Sequence, residues 1–327
     1  KTNIIYPELE ELQNFVEKLA QKCGRHISYS DPLLDGTLPD KSRVNATFTQ
    51  DISSKGPTFS IRKFTKIPFT PIKLMEMGTV SPEFLAYIWL LIENGMNILV
   101  VGGTGSGKTT LLNSVAFFIP PQARIISIED TREIQLIHEN WLPGVTREGI
   151  GQADVEGKRT GEISLFDLLR ESFRQRPDYV IVGEIRGKEA FVLFQGMASG
   201  HSCFSTMHAN DVATVITRLE TPPINLSASL VESLDAVIMI GHATIGGIDV
   251  RKVKTVEEVI KVGEGMKGTE LNTPFRWDPK TNRMIFSKKS YVFEKIIQRT
   301  SLTPQDLYLE FSKRANLLFR MYQKKVS

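Results

Sequence analysis

Residues 102–110 read Gly102-Gly103-Thr104-Gly105-Ser106-Gly107-Lys108-Thr109-Thr110, and a chain can fold around such a run in few ways. The glycines free backbone amides to turn inward toward an anion, where a Cβ would obstruct the approach. Gly102, four residues, then Gly107-Lys108-Thr109 is the spacing of a Walker A phosphate loop. In that loop Lys108 reaches the β- and γ-phosphates of ATP as a point charge, and Thr109 offers its hydroxyl to Mg²⁺. The loop must join a buried strand to a helix. The apolar run Asn97-Ile98-Leu99-Val100-Val101 precedes it. Thr110 to Ala116 continues as a helix whose positive N-terminal end faces the anion. Gly102 through Thr110 are therefore the candidate nucleotide contacts.

With 327 residues, the chain has room for about two domains, and 41% apolar residues can fill a sizeable core. No segment approaches the roughly 18 apolar residues of a membrane span, and the N-terminus lacks a secretory pattern. The chain opens on Lys1 rather than Met, which leaves room for domains upstream. Cys23 and Cys203 read as two reduced thiols of a cytosolic protein rather than a disulfide or four-cysteine zinc scaffold. A net charge of +3 fits an acidic lipid surface or nucleic acid and argues for neither alone.

Leu9, Leu12, Phe15, Val16 and Leu19 recur at helical spacing until Gly24. Short runs at His26–Tyr29, Arg43–Phe48 and Thr58–Phe64 read as strands, with Asp35-Gly36, Pro39-Asp40 and Lys55-Gly56-Pro57 as turns. This predicts a small α+β domain over 1–66, a Pro/Lys-rich linker over 67–80, and an ATPase domain with a C-terminal subdomain over 81–327. Ser81-Pro82-Glu83 is a helix start. Thereafter helices alternate with strands at Ile98, Ile125–Ile128, Tyr179–Val182, Phe204 and Val237, with a long loop through Gly161. The tail adds a β-like stretch at Val253–Val262 and a last helix capped by Thr303-Pro304-Gln305-Asp306. Alternation of this kind implies an α/β fold: a mostly parallel sheet with helices on both faces.

Three further motifs carry acids or histidines. Ile125-Ile126-Ser127-Ile128-Glu129-Asp130 is an apolar strand ending in two acids. Strand C-termini converge on the ligand crevice of such sheets, so Glu129 is a candidate to polarise a water and to serve the metal shell. Asp178-Tyr179-Val180-Ile181-Val182-Gly183-Glu184 has the Walker B design, with Gly183-Glu184 in place of the usual aspartate. Glu184 is a candidate Mg²⁺-side carboxylate acting through bound water, or an ion partner of Arg186 or Arg176. Either glutamate can be the general base, Glu129 being preferred. Gly200-His201-Ser202-Cys203-Phe204-Ser205-Thr206-Met207-His208 places histidines on both sides of a short strand. Zinc ligation by His201, Cys203 and His208 is disfavoured for want of closer ligands. The preferred reading brings His208 to the phosphate tail as a γ-phosphate sensor. Arg43 and Arg62, and Arg147, Arg159, Arg170, Arg174 and Arg176 near the long loop, are candidate cations for the transition state.

Together these residues resemble the type II/IV secretion ATPase superfamily, whose members drive secretion, pilus assembly and retraction, and the archaellum. Four family motifs stand in family order: Walker A at Gly102–Thr109, the Asp box at Ile125–Glu133, Walker B at Arg176–Arg186 and the His box at Gly200–Ala209. Gly56–Phe64 also looks like the end of the family's second N-terminal domain, which is PAS-like. The resemblance implies a RecA-like P-loop NTPase core, a homohexameric ring, and nucleotide between the two domains with Arg43 and Arg62 approaching it. It also implies a polytopic membrane platform protein as partner, no specific nucleic acid, and a place at the cytoplasmic face of the membrane. Closure of the N-terminal domain would turn on the Phe64–Met77 linker. The four-cysteine zinc insertion of bacterial general-secretion ATPases is absent. The Ser60-Ile61-Arg62-Lys63-Phe64 stretch and the loop with Gly149-Ile150-Gly151, Gly157-Lys158-Arg159 and Glu162 look closer to archaeal secretion or archaellum motors, or tight-adherence pilus ATPases, than to retraction motors. Two other classes share the loop. A nucleic-acid translocase would want a basic stripe with stacking aromatics, for which Lys288-Lys289 and Lys324-Lys325 are thin support. A small-molecule kinase would act as a monomer.

Overall fold

The computed structural model describes residues 3–64, 68–149, 159–263 and 266–326. Residues 65–67 of the expected linker region and the Ile150–Lys158 part of the long loop lie outside the described residues. The chain divides into two units, Lys1–Ile67 with Thr131–Glu133, and Pro68–Asp130 with Ile134–Ser327.

In the first unit α1 (Leu9–Lys22) covers an antiparallel sheet of β1 (Leu33–Thr37), β2 (Arg43–Thr47) and β3 (Thr58–Arg62). Side chains in β1 and β2 alternate between core and solvent. Leu34, Val44 and Ala46 thereby meet Val16, Leu19 and Ala20 of the helix. The first strand is Leu33–Thr37 rather than His26–Tyr29, and it contains the Asp35-Gly36 pair expected as a turn. Gly36 is needed for packing. A Cβ there would fall 2.8 Å from Cys23 Cβ, just past the end of α1.

The second unit runs through α2 (Pro71–Glu76), α3 (Pro82–Glu93), β4 (Ile98–Val101), α4 (Lys108–Val115), β5 (Ile125–Glu129), β6 (Trp141–Val145), α5 (Leu165–Ser172), β7 (Tyr179–Val182), α6 (Glu189–Ala198) and β8 (Ser202–Met207). It continues through α7 (Val212–Glu220), α8 (Ala228–Val231), β9 (Ala236–Ile245), β10 (Ile248–Lys261), β11 (Glu270–Asp278), β12 (Arg283–Phe286), α9 (Tyr291–Arg299) and α10 (Pro304–Gln323). One sheet takes the order β12-β11-β10-β9-β4-β8-β7-β5-β6. From β9 to β6 neighbouring strands are parallel, and β10, β11 and β12 extend the β9 edge antiparallel.

Alternate residues of each strand feed two cores. Ile98 and Val100 join Phe84, Tyr87 and Leu91 of α3, Leu111 of α4 and Phe311 of α10. Leu99 and Val101 join Leu169 of α5, Leu193 and Phe194 of α6 and Val215 of α7. A sheet buried on both faces explains why β4, β5, β7 and β8 are buried along their whole length. Ser81 caps α3 by accepting from Phe84 N at 3.2 Å, and Thr303 with Asp306 forms a capping box on α10.

Strand β6 lies inside the stretch expected as loop. Its Pro143 and Gly144 hide it from a propensity reading, but β6 pairs with β5 alone, and an edge strand tolerates a residue without an N–H. The strand that feeds the phosphate loop is fixed at its root. Asn97 N donates to Asp235 Oδ2 at 2.8 Å, its Nδ2 donates to Ser233 O at 2.8 Å, and its Oδ1 accepts from Cys203 N at 2.9 Å. One side chain thus locks β4 between β8 and β9.

Candidate functional site: a phosphate loop with two strand-end glutamates

β4 ends at Val101 and the helix begins at Lys108, earlier than the Thr110 start expected, so Lys108, Thr109 and Thr110 form its first turn. Gly107 occupies the N-cap position at φ 96° and offers no side-chain cap. The first amides of α4 therefore keep their donors for an anion. Gly105 is also left-handed, at φ 70°. Ser106 is 1% exposed and its hydroxyl has no protein partner. A Cβ on Gly102 would fall 2.1 Å from the backbone oxygen of Ile240 and 2.7 Å from Ser106 Oγ. Gly102→Ala is expected to cost about 3 kcal/mol, because the obstructing atom is backbone and moves only if β9 moves. Differential scanning fluorimetry checks this, and a variant as stable as the parent would contradict the close approach.

Lys108 is buried and turns back over its own loop. Its Nζ donates to the carbonyls of Gly102 and Gly103, each at 3.1 Å, and lies 3.2 Å from His208 Nδ1. His208 follows β8, and its backbone oxygen accepts from Arg218 of α7. Nε2 lies 3.3 Å from the same Lys108 Nζ and 3.3 Å from Glu184 Oε1. Burial lowers the imidazole pKa below its ordinary value; the carboxylate of Glu184 opposes the shift, and the charge of Lys108 adds to it.

Glu184 also pairs with Arg186, whose Nη2 donates to Oε2 at 2.6 Å. Of the expected partners of Glu184, the structure shows Arg186. Arg176 is not its partner: it sits in the left-handed region at φ 52°, just before β7.

Glu129 ends β5 at 3% exposure. Its Oε1 accepts from Ile134 N at 2.9 Å. β8 and β7 separate β4 from β5, but parallel pairing brings all these strand ends to one edge of the sheet. A Cβ on Gly183 would stand 3.0 Å from Glu129 Cγ, so the glycine in the Walker B motif makes room for the neighbouring acid. Asp130 is surface-exposed beside it. Local desolvation raises its carboxyl pKa, partly offset by the charge of Arg186.

The other candidates fall elsewhere. His201 and His208 flank opposite ends of β8, which spans Ser202–Met207. At about 3.3 Å per residue the two rings are roughly 20 Å apart, which rules out a shared zinc ion. His201 packs edge-on against Phe173 at 4.9 Å, and burial pushes the Cys203 thiol well above its usual range. Within the first unit Arg43 forks onto Asp35, at 2.7 and 3.2 Å, and Arg62 pairs with Glu133 at 2.6 Å. Arg147 donates to Gly161 O at 2.8 Å and, with Arg159, lines a cleft of about 1000 Å³ that also contains Asp130 and Glu189. Arg174 pairs with Glu171 at 3.7 Å.

Sequence reasoning missed Arg218 and the role of Gly183. Glycine before the acid was a visible signal for Gly183. Arg218 had none, because its partner is a backbone oxygen brought close only by the turn between β8 and α7. Among the described residues no group of three or more His, Cys, Asp or Glu is arranged to hold a metal ion by itself.

A family model described as "Type II/IV secretion system protein" matches residues 2–242. "Uncharacterized protein MJ0900" of Methanocaldococcus jannaschii is 39% identical over 329 residues, covering 99% of this chain and 58% of that protein. The chain thus spans little more than half the length of this relative. "Type IV secretion system protein PtlH" of Bordetella pertussis is 31% identical over 273 residues, 73% of this chain and 78% of that protein. The solved structure of the Legionella pneumophila ATPase DotB superposes with a TM-score of 0.52 at 20% identity, over 77% of this chain and 69% of that one. This last is a likeness of fold.

Proposed function

The chain belongs to the type II/IV secretion system protein family, and from that premise we infer that it hydrolyses ATP to ADP and phosphate as the motor of protein secretion or of a type IV pilus-like or archaellum filament. One observation carries this reading. Lys108, His208 and Glu184 form a connected row at the mouth of the phosphate loop, with 3.2 Å between the first two and 3.3 Å between the last two.

In this reading the amides of Gly103–Thr110 bind the phosphates and Lys108 spans the β- and γ-oxygens. Thr109 would hold Mg²⁺ through its hydroxyl and Glu184 through the ion's water shell, and the ion would supply charge neutralisation to the phosphates. Glu129 orients the attacking water in line with the leaving group. His208 lies between the loop lysine and Glu184, so a γ-phosphate that draws Lys108 away from the Gly102 and Gly103 carbonyls changes what the ring touches. That is a local signal of nucleotide state. Arg43 and Arg62 are the proposed cations of the N-terminal unit. A head-to-tail homohexamer would pass the signal to the next subunit, and a polytopic membrane protein would receive the work at the cytoplasmic face. No helix among the described residues is long and apolar enough to cross a membrane.

Phosphate release from ATP should require Mg²⁺, stop with EDTA, and be indifferent to single-stranded DNA. Mass photometry with a non-hydrolysable ATP analogue should show six-subunit particles. Absence of phosphate release by the folded protein overturns the enzyme reading. Strong stimulation by single-stranded DNA replaces the secretion motor with the translocase.

A further inference from the structure

The β9–β10 hairpin runs alongside the phosphate loop. Beyond Met239, which pairs with Val101 at the end of β4, β9 continues through Ile240, Gly241 and His242. The Ile240 backbone oxygen occupies the space a Gly102 side chain would need, and Ile240 Cδ1 lies 3.7 Å from the corresponding position at Gly107. Opposite His242 in the ladder stands Arg251 of β10. Its Nε donates to the carbonyl of Gly105 at 2.9 Å, and its Cδ lies 3.3 Å from where a Gly107 Cβ would stand. The nearby acid Asp249 is engaged with His242 at 2.9 Å. Among the described residues Arg251 has no carboxylate partner.

We propose that Arg251 is a positioning residue of the nucleotide site, clamping the phosphate loop from its outer side so that the loop's amides face the phosphates. The proposal rests on the reading of Gly102–Thr110 as the phosphate site and deepens it. The Gly105 carbonyl and the Ser106 amide are the two ends of one peptide unit. A cationic donor on the oxygen polarises that unit and strengthens the Ser106 N–H, which here makes only a long 3.4 Å bond to the Gly103 carbonyl, as a donor that an anion on the inner side would take over. Gly105 and Gly107 both adopt left-handed backbone, where the absence of a Cβ leaves many alternatives open. Fixing the peptide between them removes conformations that cannot bind phosphate, so less ordering is left for the binding step. The guanidinium also places a positive charge, unmatched by a carboxylate, beside the loop.

A loop that grips the phosphates equally before and during reaction contributes uniform binding, whose loss raises KM and leaves kcat nearly unchanged. The test compares the full chain with Arg251→Ala, Arg251→Lys and Lys108→Ala. Steady-state kinetics are measured with Mg–ATP, and direct binding with ADP and GDP. Arg251→Ala should raise KM for ATP and Kd for ADP about tenfold, the scale of one charge-assisted hydrogen bond, with kcat within about twofold. ADP and GDP should weaken by the same factor. Arg251→Lys should fall between, since it keeps the charge and loses the planar fork. The melting temperature without nucleotide should stay within about 2 °C, as for an ordinary surface substitution. Unchanged KM and ADP affinity in Arg251→Ala, with a wild type that binds nucleotide and a Lys108→Ala that does not turn over, overturns the role of Arg251 alone. Unequal losses for ADP and GDP, or a melting temperature that falls in step with affinity, overturn it too. Failure of the wild type to bind any nucleotide removes the phosphate site as well.

Discussion

Lys108→Ala is expected to lower Mg–ATP turnover by about a hundred- to a thousandfold, the usual effect of removing one preorganised donor from a site of developing negative charge. The ammonium is buried and fixed by the Gly102 and Gly103 carbonyls, so it meets the β- and γ-oxygens without first surrendering a mobile water shell. Its removal leaves the sheet intact. Gly103 is exposed, and water can satisfy its carbonyl, but the buried Gly102 carbonyl loses its donor at a cost of about 1–3 kcal/mol. The circular dichroism spectrum should therefore stay that of the parent, with the melting temperature lowered by a few degrees. Phosphate release at saturating ATP is the measurement, and undiminished hydrolysis by a folded variant would remove Lys108 from the mechanism. His208 gives a second readout. Burial and the Lys108 charge both lower its pKa. Arg186 and Arg218 act the same way and Glu184 opposes them, so truncating the lysine removes one lowering charge and the imidazole should titrate at higher pH in the variant, as followed by NMR.

Local constraints were legible in the sequence, and long-range pairings were not. The phosphate loop is written in consecutive residues because each position has its own steric duty, and the caps at Ser81 and Thr303 are readable for the same reason. Apolar runs ending in acids at Glu129 and Glu184 follow from strands buried on both faces. The edge strand β6 escaped notice because what permits Pro143 there is the lack of a strand on its outer side, a property of the sheet. Gly36 was misread for a related reason: glycine in a turn and glycine under a neighbouring helix look alike in sequence, and only Cys23 at 2.8 Å tells them apart. Glu184 offered two readings, and the structure shows one of them directly: its Oε2 is taken by Arg186, while its Oε1 lies 3.3 Å from His208 Nε2 without a hydrogen bond. Arg251 lies 146 residues from its loop partner, and nothing in its own neighbourhood marks it.

Glu129→Gln is expected to reduce kcat by about a hundredfold or more while ATP still binds, the scale of losing a general base. The choice of Glu129 over Glu184 follows from what each carboxylate touches. Glu184 is held at 2.6 Å by Arg186, so one of its oxygens is already occupied by a guanidinium donor. Such a group suits the water shell of a cation better. Glu129 is buried, its Oε1 accepts from the Ile134 backbone amide, and Gly183 leaves room for its side chain at the edge of the sheet. Glutamine keeps an oxygen for the Ile134 amide and nearly the same shape, so the variant isolates proton transfer from packing. Its KM should stay within a few-fold of the parent, because the phosphates are still gripped. Glu184→Gln should behave differently, with the Mg²⁺ concentration for half-maximal rate rising about tenfold and much of the rate returning at high Mg²⁺, as when a carboxylate that holds the ion's bound water is lost. The two variants assayed across a Mg²⁺ titration separate the roles. A Glu129→Gln enzyme rescued by Mg²⁺, beside a Glu184→Gln enzyme that is not, would exchange the two assignments. In that case the water-activating carboxylate would be the one paired with arginine, and Arg186 would have to release it before each turnover.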